Sequence, residues 1–459
     1  MKNYDFNVLV IGSGPGGYIA ALRAAELGLS VACVEKMDAL GGTCLNVGCI
    51  PSKALLHSSA VYERIKKMGA EEGVTVKDVA FDLTAMMKRK DGVVKGLNEG
   101  IAFQFKKLGV VSIRGNAAFV DAHTIEVQGK RITADNFIVA TGSEPIALPF
   151  LPFDEKYIVS STGALSLGSV PKKMLVIGAG AIGVELASVY SRLGCAVSVV
   201  EMLDTITPAM DATLCKHLQQ MLKKQGIEFY LQAKVKGGVV KNEAINLIVE
   251  YEAKESILTA DVVLVAVGRR PYITGLGLEA IGITPSPKGF IPIDQNFRTF
   301  LPHIFALGDV VEGPMLAHRA SHEGVAVANL IGGVASQINY VSIPNVIYTH
   351  PEAASVGFTE TEARSAGFNI SVGMSHFRAN GRARCIGETE GFVKIIGDLA
   401  TGRLLGMHIL GAEASEMIAE GVIALDMKTS VADMGNACHP HPTLSEAISE
   451  ACKDARPVA

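Results

Sequence analysis

Val8–Lys36, VLVIGSGPGGYIAALRAAELGLSVACVEK, decides the fold, because it returns as Met174–Met202, MLVIGAGAIGVELASVYSRLGCAVSVVEM, at a constant offset of 166 residues. Gly12, Gly14 and Gly17 fall on Gly178, Gly180 and Gly183; Gly28 falls on Gly194, and Glu35 on Glu201. Each copy reads as an apolar strand, a glycine turn, a helix, a helix-ending glycine, a second strand and an acid. Every position in that order has a physical task. The first glycine allows a tight turn, the second lets a pyrophosphate approach the backbone, and the third lets helix and strand pack closely, while the helix N-terminus holds the phosphates. The closing acid accepts hydrogen bonds from ribose hydroxyls. One such pattern is weak evidence, since packing alone also produces it. Two copies in register predict two dinucleotide-binding domains.

Two further stretches read as buried strands ending in glycine turns: ADNFIVATGSEP, Ala134–Pro145, and ADVVLVAVGRRP, Ala260–Pro271. They are expected to close the two nucleotide folds. HIFALGDV, His303–Val310, is another apolar strand, ending in Gly308 and Asp309, where an acid could reach a polyol chain. From about Val341 the pattern changes to strands and amphipathic helices without any nucleotide fingerprint, as in GFVKIIGDLATGRLLGMHILG, Gly391–Gly411. The expected fold class is therefore α/β, with two Rossmann-like dinucleotide-binding domains and a C-terminal α+β domain built to pack against a partner. The expected boundaries are 1–145, 146–271, 272–340 and 341–459.

Composition excludes several classes of function. The 42 basic and 46 acidic residues nearly cancel, and Lys and Arg are dispersed along the chain, so nucleic acid is not an expected partner. No apolar run approaches the roughly 18 residues of a membrane span, and MKNYDFNVLVIGSG lacks the long apolar core of a secretory leader. Eight cysteines in 459 residues are too sparse for a disulfide scaffold and suit a reducing compartment. In the second fingerprint copy Glu201 is followed by Met202, Leu203 and Asp204, with no arginine to receive a 2′-phosphate. That carboxylate favours NAD over NADP. Arg269 and Arg270 could contest this, but read more simply as surface or hinge arginines.

GGTCLNVGCIPSKALL, Gly41–Leu56, sets Cys44 and Cys49 four residues apart beside the first fingerprint. A zinc site usually shows closer cysteines and a matching second pair, and the only other cluster, Cys438, His439 and His441, lies at the far end of the chain. No metal is expected. A structural disulfide across so short a loop would remove little unfolded-state entropy. A redox-active dithiol is the third explanation. A helix expected from around Pro51 would present its positive end to the nearer thiol, Cys49, and lower its pKa, leaving Cys44 one loop further out.

Near the C-terminus, CHPHPTLSE holds His441 between two prolines that stiffen the backbone. A rigid histidine suits proton transfer, because an imidazole titrates near working pH. Thr443–Glu446 reads TxxE at a helix start, the pattern of a capping box. On residues alone the cap is the simpler role for Glu446, and His439 competes with His441 as the base.

Taken together, GGTCLNVGCIPSK, the two fingerprints, ATGS, FALGDV and HPHPTLSE resemble the flavin disulfide reductase family over essentially the whole chain and in the family's order. The likeness is greatest to its dihydrolipoamide-oxidising branch. The resemblance implies FAD on the first fingerprint, NAD on the second, and a Cys44–Cys49 disulfide passing electrons between substrate sulfur and the flavin. It makes Cys49 the thiol on the flavin side and Cys44 the one that exchanges with substrate. It pairs Lys53 with Glu185 beside the flavin ring and puts Asp309 on the ribityl chain. It adds Gly115, Thr141, Gly142, Ala317 and Gly268 as cofactor-binding positions. His441 becomes the acid/base, oriented by Glu446. The resemblance also implies an obligate homodimer in which this histidine segment reaches the neighbouring subunit's dithiol. The expected partner is a separate lipoyl-bearing protein of a multienzyme complex of the 2-oxo acid dehydrogenase or glycine cleavage kind. Bacterial cytoplasm or an organelle matrix is the expected location.

Plainer readings stand beside these: Lys53 as a solvated helix lysine and Glu185 as an exposed helix acid. Glutathione reductase is the nearest rival, but it uses NADP with basic residues where Glu201 stands. Mercuric reductase carries a C-terminal cysteine pair, whereas Cys452 is alone. A non-catalytic NAD(H)-binding flavoprotein scaffold would not require the cysteine pair or His441. Two features depart from the family pattern: Pro440, where a small residue is more usual, and the tail KDARPVA.

Overall fold

The computed structural model describes residues 4–67 and 72–455, so the last four residues of the tail lie outside the described residues. The chain forms two compact units. The first comprises 1–55, 82–146 and 268–338; the second comprises 56–81, 147–267 and 339–459.

The first unit is built on a parallel sheet in which Val111–Arg114, Val31–Glu35, Phe6–Ile11, Lys130–Val139 and Ile304–Ala306 lie side by side. Its central strand is fully buried from Val8 to Val10. That burial explains the unbroken apolar run, because a parallel strand covered on both faces has no solvent side to make polar. The early part of Lys130–Val139 pairs antiparallel with Thr124–Val127, which pairs in turn with Ala117–Asp121. The first fingerprint helix, Pro15–Glu26, starts with proline at its first position, where no backbone N–H is needed. It stops at Gly28, which takes a left-handed φ of 83°. This helix lies close against Ala317–Ile331. A Cβ on Gly324 would come within 2.4 Å of the Gly16 carbonyl oxygen, so only glycine permits the approach.

The second unit repeats the plan. Glu228–Tyr230, Ala196–Val200, Lys173–Ile177, Val262–Val265 and Ile158–Val159 form a parallel sheet, joined by an antiparallel ribbon of Lys234–Lys241, Ala244–Tyr251 and Lys254–Ala260. The repeat extends to register. Val8 lies opposite Val31 in the first unit, and Met174 lies opposite Val197 in the second, each 166 positions on. Residues 345–411 supply the third kind of architecture, an antiparallel sheet ordered Asn345–Ile347, Glu352–Gly357, Leu404–Gly411, Phe392–Asp398, Ile370–His376. The helices Ala414–Asp426 and Glu446–Asp454 pack their apolar residues into one core with it.

The opposite face of the same sheet buries a charge. Lys394, 2% exposed, is held by both oxygens of Asp211 at 2.9 and 3.0 Å and by Glu360 at 2.8 Å. His408, fully buried, adds its field to Asp211. Burial works to raise the Asp211 pKa, but His408 and Lys394 outweigh it and hold the carboxyl below its ordinary value.

Candidate active site

The two fingerprints form matching cradles. Gly12 and Gly178 have φ of 98° and 101°, and a Cβ on either would run into a carbonyl oxygen, that of Ala140 at 2.5 Å or of Ala266 at 2.4 Å. A Cβ on Gly17 would lie 1.9 Å from the Gly12 oxygen, and one on Gly183 would lie 2.1 Å from the Gly178 oxygen. At the middle glycines, Gly14 and Gly180, a Cβ would meet no protein atom within 4 Å. Two walls are thus closed by protein and one is open. In both copies the N-cap is that middle glycine, with no side chain satisfying the first-turn N–H groups. The arrangement fits a pyrophosphate.

The acids repeat the match. Glu35 accepts from Ser13 N at 3.0 Å with one oxygen and from Met37 N at 2.9 Å with the other. Glu201 accepts from Ala179 N at 2.7 Å and from Leu203 N at 2.9 Å, on residues again 166 positions along. Each carboxylate is locked at its strand end with lone pairs left for ribose hydroxyls. In the first copy Ser13 Oγ also bonds Glu35, at 2.6 Å.

The cysteine segment is seated on the first cradle. Gly41 N donates to Ser13 O at 3.0 Å, and a Cβ on Gly42, at φ 57°, would lie 2.6 Å from Gly14 Cα. Asn46 pins the turn, its amide donating to Leu40 O at 3.0 Å and Gly42 O at 2.9 Å. The sequence expectation needs two corrections here. The long helix begins at Cys49 itself, running Cys49–Lys67, and Cys44 sits inside a short helix, Gly42–Val47, rather than on a loop. Pro51 fits the third helical position because first-turn N–H groups have no intrahelical acceptor.

Cys44 and Cys49 are side-chain hydrogen-bond partners. That bond, with burial second, raises the Cys44 pKa far above its ordinary value, while the charge of Lys53 works in the opposite direction. Cys44 in turn adds to the burial that raises the Tyr18 pKa. Lys53, half-buried, follows Cys49 by one helical turn.

Asp309 lies in the single turn Gly308–Val310. Its Oδ2 accepts from Ser143 Oγ at 2.5 Å. Ser143 is gripped twice by Arg269, through Nε to Oγ and Nη2 to the carbonyl oxygen, both at 2.7 Å. Arg269 is therefore turned inward and half-buried, not a solvated surface residue; Arg270 is the exposed one, paired with Glu144 at 2.8 Å. The strand Arg269–Pro271 pairs antiparallel with Ser143–Pro145, and Thr141 Oγ1 donates to Tyr272 O at 2.6 Å. Gly142 and Gly268 take φ of 69° and 124° at the two ends of this ribbon. Gly115, at φ 142°, donates its N–H to Glu35 O at 2.8 Å. Ala317 opens the helix Ala317–Ile331.

In the second unit Glu185 is buried, 4% exposed, and accepts from Tyr348 N at 3.0 Å. The reading as an exposed helix acid is overturned. His441 Nδ1 lies 2.8 Å from Glu446 Oε1, and the other oxygen of Glu446 accepts from Thr443 N at 2.9 Å. Only half of the expected capping box forms, since Thr443 Oγ1 turns to Pro440 O at 2.7 Å. One carboxylate thus reaches both the histidine and the helix start. His439 has both ring nitrogens engaged, with Ala437 O and Glu420 Oε2, each at 3.1 Å. His441 is strongly exposed and engages Glu446 through Nδ1 alone.

Sequence reasoning missed Ser13, Ser143 and Glu420. Ser13 and Ser143 lie within the first fingerprint and ATGS at positions those patterns do not read, and only the folded chain brings all three to their partners. Among the described residues no cluster of three or more potential ligands could hold a metal ion.

Comparison with known proteins gives a consistent answer. Residues 6–324 match the model of the pyridine nucleotide-disulphide oxidoreductases, and 343–452 match the dimerisation domain of the same family. The chain is 50% identical to dihydrolipoamide dehydrogenase of Chaetomium thermophilum, over 97% of this chain and 90% of that one. It is 47% identical to the mitochondrial dihydrolipoyl dehydrogenase of Rattus norvegicus, with the same coverage. The crystal structure of LpdA from Mycobacterium tuberculosis superimposes with a TM-score of 0.91 at 26% identity, covering 97% of this chain and 99% of that one.

Proposed function

The chain belongs to the pyridine nucleotide-disulphide oxidoreductases, and from that premise we propose that it oxidises the dihydrolipoamide arm of a carrier protein to lipoamide at the expense of NAD+. The observation that carries the reading is the pair Cys44 and Cys49, in mutual hydrogen-bond contact on a segment whose Gly41 and Gly42 pack against the first nucleotide cradle. A homodimer is the working form, as the dimerisation-domain match indicates. In this reading 1–145 with 272–340 holds FAD, 146–271 holds NAD, and 341–459 forms the subunit interface. Lys53 pairing with Glu185, and Asp309 on the ribityl chain, belong to the same proposal.

The protein's own groups account for the sulfur chemistry. A substrate thiol gives its proton to His441, and the thiolate attacks Cys44 Sγ of the oxidised pair. A bond forms between substrate sulfur and Cys44, and Cys49 leaves as thiolate with the electron pair of the broken bridge. His441 releases the first proton to solvent and takes that of the second substrate thiol, which attacks the first substrate sulfur, closes the lipoamide ring and expels Cys44 as a thiolate that receives this proton from His441. Glu446 holds the imidazole through Nδ1 so that Nε2 faces the exchanging sulfur. FAD and NAD+, when bound, carry the two electrons from the dithiol to nicotinamide.

Among the described residues no helix is long and apolar enough to cross a membrane. Residence in bacterial cytoplasm or an organelle matrix accompanies the proposed activity, and cell fractionation checks it. The function itself is tested by following the visible spectrum during NADH titration and then offering lipoamide, oxidised glutathione and Hg(II) as acceptors. Lipoamide should be reduced fastest; preference for either of the others overturns the assignment.

A further inference from the structure

The buried end of the Arg269–Pro271 ribbon carries more than strand pairing. Arg269 reaches Ser143 with two donors of its fork, and Ser143 passes a 2.5 Å hydrogen bond to Asp309 Oδ2. The Ser143 hydroxyl is thereby fully directed. Its lone pair accepts from the guanidinium, so its proton has to go to the carboxylate. Asp309 is left with one oxygen tied to the protein by this bond and the other unassigned by it. The backbone around this chain of contacts is fixed from both sides, with Tyr272 N on Gly142 O at 2.9 Å and Thr141 Oγ1 on Tyr272 O at 2.6 Å.

We propose that Arg269 is a positioning residue for the cofactor, acting through Ser143 to hold Asp309 in the orientation in which it binds the flavin's polyol chain. The inference rests on the reading of Asp309 given above. Three features of the site require such a residue. A carboxylate on a single turn of three residues has little backbone to orient it. Carboxylate and guanidinium are matched in charge, so aligning Asp309 leaves no uncompensated anion beside the ligand. A lysine could supply the charge but not two donors in one plane, which makes arginine the residue the geometry needs. Burial lowers the Arg269 pKa, and the fields of Asp309 and Cys49 oppose that shift, so the same guanidinium also faces the cysteine pair.

The test uses the full-length dimeric flavoprotein and four variants: Ser143→Ala, Arg269→Lys, Arg269→Met and Asp309→Asn. The FAD dissociation constant is read from flavin fluorescence on dilution, beside the thermal midpoint of each protein. Loss of a charge-assisted bond predicts FAD binding about 10- to 100-fold weaker for Arg269→Met and Ser143→Ala. Arg269→Lys should fall between those variants and the parent. Combining Ser143→Ala with Arg269→Met should add little, because both cut one relay. FAD affinity unchanged in Ser143→Ala while Asp309→Asn weakens it would overturn the relay and leave the role of Asp309 standing. Affinity unchanged in Asp309→Asn as well would overturn that role itself. Should Arg269→Met not fold, Ser143→Ala, which deletes one oxygen atom, decides alone. Loss of thermal stability in Ser143→Ala at constant FAD affinity marks a merely structural contact and also overturns the proposal.

Discussion

His441 and His439 stand two residues apart in the same stiff segment, each beside a glutamate, yet they differ in how many ring nitrogens the protein engages. Glu420 and the Ala437 carbonyl use up both nitrogens of His439, whereas Glu446 uses only Nδ1 of His441. Glu446→Gln should therefore lower kcat for dihydrolipoamide oxidation by about 10²-fold, the scale of a misdirected acid/base, with little change in KM; steady-state kinetics at matched flavin content check it. At the second nucleotide site Glu201 is held by two backbone N–H groups at a strand end, so its charge cannot swing away from a ligand. Glu201→Arg should shift the ratio of kcat/KM for NAD+ over NADP+ by about tenfold or more towards NADP+, since close like charges cost at least the ~1.4 kcal/mol that tenfold represents. Glu35 and Glu201 were legible because they end a repeated motif, and His441 because two prolines bracket it. Arg269 was misread from sequence because nothing in GRRP says which of two adjacent arginines turns inward. Alternation along a strand decides that, and the strand exists only once Ser143–Pro145 pairs with it.

Elements show why the glycine spacing was the strongest signal in the sequence. The requirement at Gly17 and Gly183 is contact with the carbonyl of the first glycine, so it belongs to the packing of helix on strand, not to a loop. Gly183→Ala should force the helix Ala181–Arg192 away from its strand at a cost of about 1–3 kcal/mol and weaken NADH binding. Flavin content should stay intact, because the first cradle is untouched; quenching titrations and the flavin spectrum of one sample read both. The helix at Cys49 was placed two residues late, since proline marks a helix start without saying which turn position it takes. The buried Lys394 left no periodic signature at all. It sits in an apolar strand, FVKIIGD, and its partner Asp211 lies 183 positions away. Removing one partner of such a pair strands the other, so Lys394→Met should cost the second unit about 3–5 kcal/mol, with much of it recovered in the double variant with Asp211→Asn. The pH dependence has a definite sign. Asp211 has a depressed folded pKa, so its contribution is complete above the unfolded carboxylate value of about 3.9 and is lost as pH falls through the lower folded value. Lys394→Met should raise the pH midpoint of acid unfolding, followed by circular dichroism.

At the scale of the whole molecule the sequence made the two nucleotide folds legible, because a repeat of 166 residues imposes the same burial, turn and register twice. It did not reveal that the helix Cys49–Lys67 leaves the first unit at residue 55 and continues in the second, since a helix carries no mark of the core it packs on. Nor does one chain show how the active site is completed. The cysteine pair belongs to the first unit and His441 to the second, while the dimerisation-domain match over 343–452 covers the histidine. The proposed dimer makes each site a joint product, with the dithiol of one copy served by His441 of the other. Hybrid dimers decide this. Cys44→Ser and His441→Gln homodimers should both be inactive, the first keeping its flavin. A mixed dimer has one site with both intact groups and one with neither. Random reassociation of equal amounts makes half the dimers mixed, so about a quarter of parental activity should return on mixing, as two-fold symmetry requires. If Cys44 and His441 served each other within one chain, every site in the mixture would lack one group, and no activity would return.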